Sequence, residues 1–304
     1  MQIDVSIIFV NYHTSGLLAA SITSILKWTS GLKYEIIVID NNSEEDLKEE
    51  LFKQIPLFTE EIIKIKMLPS NIGFGKANNE GIKIAKGRNI LFLNPDTLLV
   101  NNAIKLLSDF LDTSGSAGAC GGNLVSQEFS PLFSFKRISP GILWEMDELL
   151  NALPQKVFFG KNRQFNYSEK PLSVKMISGA DLMVKKRVLD QLGGFDNDFF
   201  LYYEDTDLCH RILKAGGELY NLPNVKIIHL ESRSFGQGNK GFSENKIREL
   251  ERARKIYNKK KLSPFILTIA DFIYYLFLSS RIKLVRNQKR KEYYEKRKKY
   301  FLEE

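Results

Sequence analysis

VSIIFVNYHTSGLLAASITSILKWTSGLKYEIIVID, residues 5–40, decides the fold. Residues 5–10 (VSIIFV) form an apolar run rich in β-branched side chains, the pattern of a strand buried on both faces. Leu18, Ile22, Ile25 and Leu26 then recur at helical spacing. Residues 35–39 (EIIVI) are a second buried strand, ending at Asp40-Asn41-Asn42-Ser43. Strand, helix and strand in this order predict a parallel sheet covered by helices, an α/β fold.

Working outward, residues 62–68 read as a third strand, and residues 89–93 (NILFL) as a fourth that ends at Asn94-Pro95-Asp96. Between them residues 77–86 fit a helix closed by Gly87. The regularity stops near Gly115. Residues 126–172 scatter aromatic residues among polar ones and read as loops and short helices walling a cleft. A strand over 174–184, a helix over 185–192 and the turn Gly193-Gly194 follow, then an amphipathic helix near 205–215.

Ligands of such sheets sit where the strands end, and polar residues gather there: Asn11-Tyr12, Asp40-Asn41-Asn42 and Asn94-Pro95-Asp96. Singly, each has a plain reading as a turn cap. Three at one edge point to a binding site. Asn71-Ile72-Gly73-Phe74-Gly75-Lys76-Ala77-Asn78 reads equally as an anion-binding turn or a helix entry. It completes neither the dinucleotide fingerprint nor a P-loop. Asp96 suits a hard cation whose remaining shell is phosphate and water, and His229, ending the run 225–228 (VKII), is a second ligand candidate. Glu204-Asp205 opens a helix just after Phe199-Phe200-Leu201-Tyr202-Tyr203. Acids there cap a helix dipole, or, beside apolar walls, hold a raised pKa and serve as a base.

Together the stretches VSIIFVNYHTSGLL, IIVIDNNSEED, NIGFGKANNEGIKIAKG, ILFLNPDT, SGADLMVKKRVLDQLGGFDNDFFLYYEDTDLCHR and IIHLESRS resemble the family 2 inverting glycosyltransferases of GT-A fold. They look like its bacterial rhamnosyltransferase branch, which assembles surface polysaccharides, and cover residues 5–234. The resemblance implies that Val10, Asn11, Tyr12 and Asp40 contact the donor's base and ribose, with Gly73 and Asn78 shaping the nucleotide pocket. It makes Asp96 the last acid of the metal-binding Asp-x-Asp motif and His229 the residue completing a Mn²⁺ or Mg²⁺ site. Asp205 corresponds to the general base, while Gly179, Ala180, Asp181, Glu204 and Arg211 belong to the acceptor and sugar region. One departure is Asn94, where the motif's first acid would stand; Asn-Pro-Asp is common in the rhamnosyltransferase branch. The implied reaction is transfer of a sugar, first of all rhamnose from dTDP-rhamnose, to a glycan or lipid-linked acceptor. Use of a UDP-hexose, or nucleotide-sugar binding without catalysis, are the alternatives. A sugar-1-phosphate nucleotidyltransferase would need a Gly-rich basic loop after the first strand, where this chain has Asn11-Tyr12-His13-Thr14-Ser15-Gly16.

Charge divides the chain. Residues 1–240 carry a net −2 and residues 241–304 a net +10. We expect a catalytic domain over 1–240 and a helical basic extension over 241–304. Residues 265–280 are apolar almost all round, 16 residues or about 24 Å as a helix. That is short for a bilayer, and Asp271 in its middle is costly there. A peripheral contact of 262–304 with anionic lipid, a helix packed on the catalytic domain, and a true span are the three readings, the first favoured. The acidic front offers no continuation of a nucleic-acid surface. Two distant cysteines, Cys120 and Cys209, point to a reducing compartment. Residues 1–10 lack the features of a signal peptide, so a cytoplasmic protein at the inner membrane face is expected.

Overall fold

A computed structural model of the chain describes residues 2–43, 46–55, 61–139, 141–150, 152–230 and 243–303. The strands are β1 (Val5–Asn11), β2 (Tyr34–Asp40), β3 (Ile63–Met67), β4 (Asn89–Leu93), β5 (Thr97–Leu99) and β6 (Ala117–Val125), then β7 (Phe135–Lys136), β8 (Leu172–Val174), β9 (Met176–Ile177), β10 (Asp181–Lys185) and β11 (Glu218–His229). The helices of the α/β layer are α1 (Ser15–Trp28), α2 (Leu47–Gln54), α3 (Phe74–Ile84) and α4 (Ala103–Thr113). After them come α5 (Ile142–Leu149), α6 (Leu153–Phe159), α7 (Lys186–Leu192) and α8 (Glu204–Lys214), and the C-terminal α9 (Glu244–Lys261), α10 (Pro264–Leu284) and α11 (Gln288–Glu303).

The main sheet runs β3-β2-β1-β4-β10-β6-β11-β5, with β8 on β11. Strands β3, β2, β1 and β4 are parallel, and β10 is antiparallel to both its neighbours, β4 and β6. Alternate residues of β1 enter opposite faces of the core. Ile7 and Phe9 pack with Leu18 and Ile22 of α1, whereas Ile8 joins Ala77, Leu208 and Ile212 of α3 and α8. Both faces are therefore dry, and the strand needs no polar alternation.

The structure revises several boundaries. Helix α3 starts at Phe74, three residues before the expected start, because Gly73 at φ 89° turns the chain into it. The expected strand over 174–184 is three short ones, broken at Lys175 and at Ser178–Ala180. Helix α10 has 21 residues rather than 16, long and apolar enough by length and composition to cross a membrane. It packs on α5 and α11, and Asp271 in its middle lies 3.1 Å from Arg254 of α9. The expected domain boundary at 240, and residues 231–234 of the last matching stretch, lie outside the described residues.

The C-terminal helices are packed on the catalytic layer by ion pairs, two of them buried. Arg254 is 1% exposed and meets Glu145 of α5 at 2.9 Å. Lys260 pairs with Asp196 and Asp198, and Lys261 Nζ sits 2.7 Å from the fully buried Asp207 of α8. Tyr257 stands against Tyr203, ring centres 5.5 Å apart. So α9 backs the loop that leads into α8.

Candidate active site

Parallel pairing sets Asn11 opposite Asp40 at the carboxyl edge. Asn11 Nδ2 donates to Asp40 Oδ1 (2.8 Å) and to Ser43 Oγ (3.0 Å), and Ser43 N donates to Asp40 Oδ2 (3.0 Å). The next link is Asn41, whose Nδ2 donates to Asn71 Oδ1 while its Oδ1 accepts from Ile72 N. Asn71 Oδ1 also accepts from Gly73 N (3.0 Å). This network fixes the edge and the glycine turn together. Asn11 and Asp40 are wholly buried and Val10 nearly so, which leaves the half-exposed Tyr12 as the open face of this edge. Gly73 has room for no side chain: a Cβ would meet Phe200 O at 2.5 Å. Asn78 is buried in α3 and donates to Phe74 O at 3.1 Å.

The turn after β4 carries Asn94-Pro95-Asp96. Asn94 N donates to Ala180 O at 3.1 Å. The antiparallel β5–β11 pair sets His229 opposite Thr97, bringing His229 Nε2 to 3.2 Å from Asp96 Oδ2. Two side chains far apart in sequence thus offer one O and one N donor at a single point. Among the described residues no group of three His, Cys, Asp or Glu forms such a cluster. The pair fits a cation whose other ligands are phosphate oxygens and water.

Two consecutive left-handed residues, Tyr202 (φ 70°) and Tyr203 (φ 64°), turn the chain into α8. Such a conformation is costly for aromatic residues, and packing of Tyr203 on Tyr257 holds it. It sets Glu204 and Asp205 in the first helical turn. Asp205 Oδ2 accepts from Gly179 N (2.8 Å), and Oδ1 accepts from Thr206 N (2.6 Å). Since Ala180 is tied to Asn94, one short path joins the base candidate to the Asp96 turn. Burial raises the Asp205 pKa above the ordinary carboxylate value, against the lowering by those N–H groups. Glu204 is pushed up to about 8, first by burial and then by the charge of Asp205. Its Oε2 is buried with no hydrogen-bond partner.

Glu204 therefore keeps a proton in the folded chain that the unfolded chain releases near 4.5. The native state binds more protons between those values, so its stability falls as pH rises from about 4.5 to 8. Glu204→Gln is expected to flatten that fall, read as the melting temperature at several pH values across the window. Parallel curves for the variant and the parent would refute it.

Two expected site residues are placed elsewhere. The fully buried Asp181 accepts from Gly122 N (2.6 Å) on the neighbouring strand β6. Arg211 faces backward from α8 to Asp207 (2.6 Å) and the carbonyls of Leu192 and Gly194. Of the trio Gly179-Ala180-Asp181, Gly179 hydrogen-bonds Asp205. Asn41, Ser43 and Asn71 stood in the polar turns that the sequence singles out, but their hydrogen bonds to one another and to Asn11 and Gly73 had no signal there.

Comparison with known proteins gives the family. Residues 6–193 match the description of glycosyl transferase family 2. The chain belongs to this family. Residues 162–233 also match the N-terminal domain of galactosyltransferase. The family 2 chain is 26% identical over 216 residues to the N-acetylglucosaminyl-diphospho-decaprenol L-rhamnosyltransferase of Mycobacterium tuberculosis, covering 66% of this chain and 68% of that one. It is 26% identical to the dTDP-rhamnosyl transferase RfbF of Shigella flexneri over 64% of this chain and 59% of the relative. Among solved structures GalNAc-T7 with UDP, GalNAc and Mn²⁺ superposes with a TM-score of 0.62 at 17% identity, over all of this chain and 56% of that one. The fold is that of the GT-A glycosyltransferases, and the family 2 chain is a glycosyltransferase.

Proposed function

We propose that this chain transfers rhamnose from dTDP-rhamnose, with inversion, to a lipid-linked or growing glycan at the inner face of the cell membrane. The observation that carries the reading is the Asp205 carboxylate, held by Gly179 N and tied through Ala180 and Asn94 to the Asp96–His229 pair. Two rhamnosyltransferases among the relatives support the donor, and the first of them, named for a diphospho-decaprenol acceptor, supports a lipid-linked one.

In this reading Tyr12 offers its exposed ring to the base, on an edge stiffened by Asn11 and Asp40. Asn94 offers its amide to the ribose. Asp96 and His229 would hold a Mn²⁺ or Mg²⁺ ion, which would supply Lewis-acid neutralisation of the diphosphate. Asp205 takes the proton of the acceptor hydroxyl as that oxygen bonds to the anomeric carbon. The bond to the diphosphate breaks on the opposite face, and the configuration inverts. The raised Asp205 pKa brings the base closer to neutral operating pH, where proton transfer is best driven. Helices α10 and α11 supply the peripheral lipid contact, with exposed Phe265 and Phe272 and the basic tail.

A thermal-shift screen of nucleotide-sugars with Mn²⁺ tests the donor. At 100 times its dissociation constant the cognate donor adds about 2.7 kcal/mol. A UDP-hexose that raises the melting temperature while dTDP-rhamnose leaves it unchanged would reverse the assignment.

A further inference from the structure

Away from the donor edge, α6 and the 3₁₀ turn Gly160–Arg163 flank a cavity of about 470 Å³. Lys156, Lys161 and Arg163 line it, together with Phe133 and Tyr167, and no carboxylate does. Lys161 Nζ stands 5.5 Å from the Tyr167 ring centre. Three cationic residues around one cavity whose lining has no acid favour an anion such as a phosphate there.

The same helix carries an apolar stripe. Leu153 and Val157 lie at i and i+4, with Lys156 on their face at i+3. Leu143, Met146 and Leu150 continue the exposed apolar surface on α5 and just beyond it, and Leu143, Val157 and Phe158 are each more than two-thirds exposed. Soluble chains rarely leave such a surface open without a partner. A soluble phosphate would use the cations alone, and an apolar protein partner the stripe alone. Only an amphiphile uses both.

The cavity is also wired to the base. Ser134 N donates to the carbonyl of Gln164, a wall residue, at 2.9 Å; Ser178 N donates to Ser134 O at 3.0 Å. The next residue, Gly179, holds Asp205 at 2.8 Å.

We propose that this cavity binds the phosphate of the lipid-linked acceptor, whose hydrocarbon chain lies along the exposed α5–α6 face. The inference rests on the acceptor being lipid-linked, and it names the residues that select it. Bulk bilayer contact belongs to α10 and α11 instead.

Calorimetric titration of the full chain with farnesyl phosphate, below its micellar concentration and in EDTA, tests the proposal. The parent is expected to bind it, with farnesol and inorganic phosphate each at least about tenfold weaker, the worth of one charge-assisted hydrogen bond. Lys156→Gln/Lys161→Gln/Arg163→Gln should lose at least about tenfold by the same reasoning, with an unchanged melting temperature. Flotation on phosphatidylglycerol vesicles and the thermal shift with dTDP-rhamnose should both stay as in the parent. No binding by the parent, equal binding by the triple variant, or equal binding of farnesol overturns the proposal. Loss through Asp96→Asn alone would place the ligand in the donor site, and loss of flotation in the triple variant would make the patch a general lipid contact; either overturns it too. A chain that binds farnesyl phosphate as described but shifts with no nucleotide-sugar fails the donor reading and leaves the cavity assignment standing.

Discussion

Asp205→Asn is expected to lower turnover at least about 100-fold, the low end of what a general base contributes, with donor affinity unchanged. The amide is nearly the same size, and its one oxygen can keep one of the two N–H groups, Gly179 N or Thr206 N, that meet separate carboxylate oxygens in the parent. It cannot take a proton. The donor edge is held by hydrogen bonds among Asn11, Asp40, Asn41 and Asn71 and to the glycine turn, so the loss should fall on turnover and not on donor binding. The check is a donor titration beside a transfer assay, run on parent and variant with the same acceptor. Near-normal transfer by the variant would remove Asp205 as the base. Its acid limb in the parent should also lie above the ordinary carboxylate range, because burial raises the pKa and only the ionised form acts.

The second large effect is on stability. Arg254→Met is expected to cost about 3–5 kcal/mol, the usual result of stripping one partner from a buried pair. Arg254 stands 2.9 Å from Glu145, 3.1 Å from Asp271 and 3.6 Å from the Tyr274 ring centre. Asp271 is partly exposed and can turn to water, whereas Glu145 is buried and, among the described residues, keeps the hydrogen bond from Asn258. The uncompensated Glu145 carries the cost. A urea midpoint that falls with an unchanged slope measures it. Adding Glu145→Gln should recover much of the loss, since removing both charges avoids the stranded one. A single variant as stable as the parent would show that α9 is not pinned by this residue.

The strands most legible in the sequence are those buried on both faces. β1, β2 and β4 stand within two residues of their expected bounds, because unbroken Ile, Val, Leu and Phe runs have few other homes. Strand β6, AGACGGNLV, left no such trace. Its small residues are demanded by neighbours and not by hydrophobicity: a Cβ at Gly122 would meet Val225 at 2.3 Å. The reversed direction of β10 was equally hidden, since strand direction belongs to pairing and not to composition. In the site, Asp96, His229 and Asp205 were visible as strand and helix ends. Asp181 and Arg211 lay in the same matching stretch but point elsewhere, a matter of side-chain direction that spacing cannot carry. The packing of the tail was the least legible part. Lys261, Arg254 and Glu251 look like solvated charges on a polar helix, yet Asp207, Glu145 and Arg297 wait for them inside.

The Lys261–Asp207 contact sets a rule for recombination among relatives. Asp207 sits two residues after the base, fully buried, and Lys261 reaches it from α9. A chimera joined near residue 240 would hand the host's α8 a foreign α9, leaving Asp207 paired with Arg211 but without Lys261 beside the chemistry. The exchangeable cassette is not the tail but a discontinuous one: α5, the 196–207 loop and α9 inherited together.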